Sequence, residues 1–364
     1  MKICYFCTDL TQKGGIERVL SILTTEQVKD SNVEINIVSR YKTFDTTPYY
    51  FDKRLKIIYL SQQKYSGAPG SFKRLLIHLR GWYKIYSYFK KHKFDLIISQ
   101  AFPNTFMLFL ALVNLKRVIS VEHVCFDYYN DFIQRLRYKI YEKVLAVVTL
   151  TKEDCFCFQK KIDSVFTIPN PINLDDKYLS SLDNKKIISI GRLEHEKGFD
   201  TLIKVFSKIH TKYPDWVVEV YGEGTKKTEL QKQINECGLK EHFFLRGITY
   251  DINSKLRESS FIVVTSRFEG FSMVLVEAMS QGVPGISFDC PNGPRSIITS
   301  GIDGVLVENQ NEYSLYENIE RLIVDIELRK KLGRTAYNNV EKFNVRTILN
   351  KWYHLYSKLG VSYK

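Results

Sequence analysis

No stretch of this 364-residue sequence is apolar for long enough to cross a bilayer. The longest apolar run, 106–113, falls well short of the roughly 20 residues that a spanning helix needs. Residues 1–7, MKICYFC, show neither the extended apolar region nor the small-residue cleavage site of a secretory signal, so a cytosolic location is expected. Cysteine is sparse and odd in number: seven residues, at 4, 7, 125, 155, 157, 237 and 290, scattered through the chain. That excludes a disulfide framework. Cys4 and Cys7 have CxxC spacing without a second ligand pair, so buried thiols in a reducing compartment are expected rather than a metal or redox site. There is no GxGxxG, which disfavours a hydride-transfer enzyme. No helix-turn-helix, RRM or zinc-finger pattern is present, so nucleic acid is not an expected partner. Internal repeats and low-complexity segments are also missing.

What is present begins with size and charge. The length exceeds one average core and suits two domains. With 44% hydrophobic and 13% aromatic residues, a packed globular protein is expected. A formal charge of +13 implies an acidic partner, and nucleic acid, an anionic membrane and a phosphate-bearing substrate all satisfy charge alone.

The stretch 261–307, FIVVTSRFEGFSMVLVEAMSQGVPGISFDCPNGPRSIITSGIDGVLV, organises the rest. An apolar run at 261–265 reads as a buried parallel strand. A polar turn with Glu269 and Gly270 follows. Ser272 can N-cap a helix through Met279, and Gly282, Val283 and Pro284 stop it. A second apolar run at 285–288 leads into the turn 291–294. Strand, loop, helix, strand, loop, helix means a parallel sheet with ligand loops at the carboxyl ends of its strands. Glu269 and Glu277 stand eight apart around the first loop and can face one crevice. Between them, the amides of Gly270, Phe271 and Ser272 lie at a positive helix end suited to an anion. Glu277 is surrounded by apolar residues, where a carboxylate needs a partner.

Other strand ends repeat the theme. After an N-terminal strand at 2–6, Gly14 and Gly15 allow a close backbone approach to a ligand before the helix that starts at Ile16. His123 follows a strand at 118–121, at the end where α/β proteins bind ligands. Arg192 and Lys197 flank the loop between a strand at 186–191 and the next helix. A guanidinium fork and an ammonium at a helix start suit a diphosphate. The segment 71–93 carries seven Lys or Arg, several aromatics and no acid at helical spacing, which suits an anionic membrane surface or a merely solvated helix. Arg135, Arg137, Lys139 and Lys143 extend this basic character. The polar stretch 174–185 reads as a linker, and 312 onward as helices.

The string from Glu269 to Met279 resembles the E-x7-E signature of retaining, sugar-nucleotide-dependent glycosyltransferases of the GT4 family, glycosyl transferases group 1. Gly191-Arg192 through Lys197-Gly198, the Pro-Asn-Pro of 169–171, and Gly301-Ile-Asp-Gly304 look like the same family. The resemblance implies an α/β GT-B fold: two Rossmann-like domains with parallel sheets facing a central cleft. The expected boundaries are 1–170 for the acceptor domain, 171–345 for the donor domain, and a terminal helix at about 346–364 returning to the first.

The family transfers a sugar from a nucleotide diphosphate to an acceptor hydroxyl with retention of configuration. By resemblance, Gly14, Gly15, Arg192, Lys197, Gly270, Phe271 and Ser272 contact the donor diphosphate. Glu269 binds donor sugar hydroxyls, His123 positions the sugar, and Glu277 holds the ribose. Arg246, Gly247 and Ile248 meet the base. No Asp-x-Asp element is present, and neither metal nor cofactor is expected. Cys290-Pro-Asn-Gly-Pro resembles users of UDP-hexoses or UDP-N-acetylhexosamines, although Ser296 stands where many relatives carry Glu. The expected acceptor is a saccharide on a polyprenyl diphosphate in surface polysaccharide assembly, met at the cytoplasmic leaflet through 71–93. A sugar-nucleotide epimerase or hydrolase of the same fold, or a non-catalytic nucleotide-sugar-binding protein, are the alternatives.

Overall fold

Short β-branched runs buried on both faces require parallel strands covered by crossover helices. In the computed structural model, which describes residues 1–64, 72–174 and 179–361 (72–80 as backbone alone), these runs form two parallel sheets. The chain divides into two compact units, Met1–Asn173 with Val345–Lys364, and Leu174–Asn344.

The first unit contains β1 (Lys2–Asp9), β2 (Glu34–Tyr41), β3 (Lys56–Tyr59), β4 (Leu96–Gln100), β5 (Val118–Val121), β6 (Ala146–Thr149) and β7 (Val165–Thr167). They lie in the order β3-β2-β1-β4-β5-β6-β7. The second unit contains β8 (Lys186–Ile190), β9 (Val217–Tyr221), β10 (Phe243–Gly247), β11 (Phe261–Val264), β12 (Gly285–Phe288) and β13 (Gly304–Val307), in the order β10-β9-β8-β11-β12-β13. Both sheets reverse direction of winding at one place: between β1 and β4, and between β8 and β11. That switch point leaves a crevice outside the carboxyl ends of two neighbouring strands, the place where open α/β sheets bind ligands.

Each unit has its own core. Phe6, Ile97, Val118 and Val147 anchor the first, and Ile187, Val218, Val263 and Ile286 the second. The terminal helix Val345–Lys358 packs on the first unit, with Ile348, Trp352 and Tyr356 buried. Cys4 and Cys7 are buried, and burial pushes both thiols well above their ordinary range.

Three expectations are corrected. Arg137 adds nothing to a basic surface: it is fully buried, and its guanidinium lies 4.7 Å from the Phe158 ring centroid and 5.0 Å from that of Tyr129. The described end of the 174–185 linker is built into the second unit. Ser180 Oγ reaches the carbonyls of Arg257 and Ser259, and Leu182 is buried. Residues 175–178 of that linker, Ser71 of the basic segment and the last residues, 362–364, lie outside the described residues. Finally, the helix after Glu269 runs Met273–Ser280 with Ser272 at its N-cap position, but the Ser272 side chain makes no capping bond. The hydroxyl is buried and has no hydrogen-bond partner among the described residues.

No helix among the described residues is long and apolar enough to cross a membrane.

Candidate active site

In the second unit, the loops after β8 and β11 meet because their strands are neighbours. The contact is tight enough to demand glycine. Gly198 has φ of 64°, and a Cβ there would fall 2.1 Å from the Thr265 carbonyl oxygen. Three side chains stitch the loops together. Thr265 Oγ1 donates to the Lys197 carbonyl at 3.1 Å, Arg267 donates to the His195 carbonyl at 2.7 Å, and Arg267 forks onto Asp200 at 2.7 and 2.9 Å. Burial alone would raise the Asp200 carboxyl, but the Arg267 fork outweighs it and holds the group below the usual carboxylate range.

This stitching brings Lys197 to Glu269. Lys197 Nζ donates to Glu269 Oε1 at 2.5 Å, and Ser266 Oγ donates to the same oxygen at 2.9 Å. The Lys197 and Glu269 side chains are 20% and 10% exposed. The turn after β12 closes against Glu269 from the other side. A Cβ on Gly293 would lie 2.9 Å from the Glu269 Cβ, and Asn292 adopts φ of 77°. Cys290 beneath this turn is buried, and burial with the nearby Glu269 pushes its thiol up to about 12.

The two cations of the loop are therefore presented differently. Arg192 is 73% exposed and donates to Glu196 at 2.8 Å. Lys197 is mostly enclosed, and among the described residues one of its three donors is committed, to Glu269.

Phe271 turns its ring inward, edge-on to Phe343 at 5.7 Å. Its side chain is thus a packing group beside the first turn of Met273–Ser280. Glu277 is buried within that helix at 2% exposure. At the ends of β9 and β10, Arg246 stacks on Phe244 at 4.2 Å and donates to Glu219 at 2.8 and 2.9 Å. Burial would raise Glu219, but the bonds from Tyr221 and Arg246 leave it below its ordinary range. Gly247 has φ of 75° and Ile248 is exposed beside it.

In the first unit, Gly14 precedes the helix Gly15–Gln27, and among the described residues nothing lies within 4 Å of a Cβ placed on Gly15. A Cβ on Gly14 would fall 2.4 Å from Glu17 Oε2. Burial, with Asp9 nearby, pushes the Glu17 carboxyl up to about 7. His123 follows β5, and its Nε2 lies 2.8 Å from Gln100 Oε1. Burial lowers the imidazole to about 4, so it is neutral near pH 7. Below it, the buried Glu122 accepts from the Tyr141 hydroxyl and faces Arg137 at 3.7 Å.

Sequence reasoning missed Gln100, Ser266 and Arg267. Only their place at strand ends could have singled them out.

Residues 172–339 match the model of the family described as Glycosyl transferases group 1. An amylovoran biosynthesis glycosyltransferase, AmsD of Erwinia amylovora, is 27% identical over 370 residues, covering 96% of this chain and 98% of that protein. An alpha-1,4-N-acetyl-D-galactosaminyltransferase of Campylobacter jejuni, named for a diNAcBac-PP-undecaprenol-linked substrate, is 24% identical over 365 residues and 99% of both chains. The crystal structure of Anabaena HepE in complex with UDP superposes with a TM-score of 0.77 at 17% identity, over 98% of this chain and 100% of that one.

Proposed function

We propose that the chain, which has the GT-B fold and matches the glycosyl transferases group 1 model over residues 172–339, is a retaining transferase of that family acting in surface polysaccharide assembly. It moves a hexose or N-acetylhexosamine from a UDP-sugar to a saccharide carried on a polyprenyl diphosphate. The observation that carries this reading is the Lys197–Glu269 pair at the switch point of the second sheet. A cation and a carboxylate held together can serve two neighbouring parts of one donor. Lys197 turns its uncommitted donors to the diphosphate, while Glu269 accepts from sugar hydroxyls.

Departure of the nucleotide leaves charge on the diphosphate, and fixed positive groups stabilise it most as it develops. Lys197, Arg192 and the amides of Gly270, Phe271 and Ser272 are assigned to that charge, with Gly14 and Gly15 as the first unit's share. These groups are proposed to act without a metal or other cofactor. Glu277 is assigned to the ribose, Gly247 and Ile248 to the base, and His123 to a sugar hydroxyl. Arg246 is assigned to the base with Gly247 and Ile248 through its backbone, while its guanidinium bonds to Glu219 and holds the β10 end in place.

The UDP donor is supported by the HepE complex, and the lipid-linked acceptor by the Campylobacter relative. The proposed location is the inner face of the cell membrane. Along the described end of the helix Phe72–Lys91, Trp82 and Tyr83 are exposed, with Lys84, Lys90 and Lys91 beside them. A groove of about 340 Å³ at the carboxyl end of that helix is lined by Lys90, Lys93 and Arg117 together with Phe89 and Phe94. Cations around aromatic groups suit an anionic lipid surface.

The test is incubation with a panel of nucleotide sugars and polyprenyl-diphosphate-linked saccharides, read by mass spectrometry. One added hexose or N-acetylhexosamine on the acceptor is expected. Donor turnover that ignores the acceptor would replace this reading with an epimerase or hydrolase.

A further inference from the structure

His123 is held by a buried amide. Gln100, the last residue of β4, is 3% exposed, and its Oε1 lies 2.8 Å from His123 Nε2. The rest of the amide fixes which atom donates. Gln100 Nε2 points at the Ile98 carbonyl at 3.5 Å, so turning the amide over would set oxygen against oxygen. A neutral imidazole carries one N–H. That proton therefore sits on Nε2 and is donated to Gln100, which leaves a lone pair on Nδ1. Among the described residues Nδ1 has no hydrogen-bond partner.

The backbone around Gln100 is held from several sides. Ala101 adopts φ of 68° and ψ of 152°, a region that side-chain-bearing residues rarely visit. In that conformation its amide donates to the Val121 carbonyl at 2.8 Å, two residues before His123. Asn104 Nδ2 donates to the Gln100 carbonyl at 2.5 Å, and its Oδ1 accepts from the buried Arg40 at 3.1 Å. The end of β4 is thus tied to the end of β5, and the unusual backbone lies next to the residue that grips the imidazole. A single hydrogen bond of ordinary surface kind would need no such support.

We propose that Gln100 is a positioning residue that locks His123 in its Nε2–H tautomer, so that Nδ1 accepts a hydrogen bond from a sugar hydroxyl. The second half rests on the assignment of His123 under the proposed function, whereas the lock stands on the geometry of the first unit alone. A lone pair at Nδ1 orients a hydroxyl by drawing its hydrogen along one line. The opposite tautomer would present an N–H there and turn the hydroxyl around.

Long-range proton–nitrogen correlation spectra of the full chain read the tautomer directly, with the His123 signals assigned by their loss in His123→Asn. The wild type should show Nε2–H. Gln100→Leu should give a tautomer mixture and lower kcat by about tenfold or more, with the donor KM held within about threefold. Gln100→Glu keeps an acceptor oxygen and should preserve the Nε2–H tautomer. An Nδ1–H pattern in the wild type overturns the lock, and that spectrum decides it even should Gln100→Leu fail to fold. An unchanged tautomer in Gln100→Leu overturns it as well. A shifted tautomer with an unchanged transfer rate would leave the lock standing and remove the hydroxyl contact, and with it His123's part in the functional reading.

Discussion

Lys197 Nζ and Glu269 Oε1 lie 2.5 Å apart, although 72 residues separate them in the chain. The contact exists because β8 and β11 are parallel neighbours at the point where the strand order reverses. Charge-assisted hydrogen bonds between enclosed groups are stronger than exposed ones, and each partner here holds the other's rotamer. Ser266 on the same oxygen and the Gly293 turn on the far side restrict Glu269 further. A ligand with a phosphate next to a polyhydroxyl group meets a cation and an acceptor already set side by side.

The first prediction separates the two loop cations. Lys197→Ala should weaken UDP binding by about 1.5–3 kcal/mol, the usual cost of losing a hydrogen bond to a charged group. Arg192→Ala should cost less, because Arg192 is largely solvated and is shared with Glu196. Calorimetric titration of UDP into both variants checks this. Equal losses would mean that exposure in the free protein does not rank the two contacts.

A second prediction concerns pH. The Glu17 carboxyl is raised from its ordinary 4.5 to about 7, chiefly by burial. A raised folded value contributes stability that is complete below the unfolded value and is lost as pH rises through the folded one. Stability from this group should therefore fall between about pH 4.5 and 7. Glu17→Gln should gain, relative to the wild type, on the order of 3 kcal/mol at pH 8 and little at pH 4.5. Chemical denaturation at the two pH values measures it. The same relative stability at both would show that Glu17 is solvated in the folded protein.

The parts legible in the sequence were those governed by patterns of a few residues. The runs 261–265 and 285–288 read as buried strands, and Glu269 with Glu277 lay on either side of the start of the helix between them. Arg192 and Lys197 were legible for the same reason, as polar residues between a strand and an amphipathic helix. What the sequence hid depended on tertiary neighbours. Arg137 sits in a basic run and looks like a surface cation, yet it is enclosed by Phe126, Tyr129 and Phe158. Ser272 has the residue type and place of a cap, but burial of its hydroxyl leaves it without the expected bond. Nothing in Ser99-Gln-Ala-Phe102 announces a positive φ, because alanine is not the residue that such a backbone favours. It becomes visible only once β4 and β5 are paired.

The membrane proposal gives a third prediction. Vesicles containing anionic lipid should bind the protein more than neutral vesicles, and binding should weaken with salt as the screening length falls to about 3 Å at 1 M. The double variant Lys90→Glu, Lys93→Glu should reduce that binding while leaving transfer to a soluble acceptor analogue unchanged, since both residues line a groove away from the strand ends that carry Gly15 and His123. Co-sedimentation is the measurement. Equal binding to neutral and anionic vesicles would remove the electrostatic contact.

The last prediction divides the labour of the two carboxylates. Glu269 precedes the helix Met273–Ser280, shares an oxygen with Lys197 and Ser266, and is assigned to the sugar beside the diphosphate. Glu277 is buried farther along that helix and is assigned to the ribose. Removing charge at Glu269 should spare free UDP, which has no sugar, and slow transfer, because its contacts count most as the sugar becomes cationic. Glu269→Gln also loosens Lys197 from its partner, so UDP affinity should hold or rise slightly. Glu277→Gln should weaken UDP itself by about 1.5–3 kcal/mol, the cost of a lost bond to a buried charged acceptor. The pair of measurements is UDP affinity by calorimetry and transfer rate at saturating donor. If Glu269→Gln loses UDP while Glu277→Gln keeps it, the donor lies the other way round along this helix, and the assignments of sugar and ribose must be exchanged.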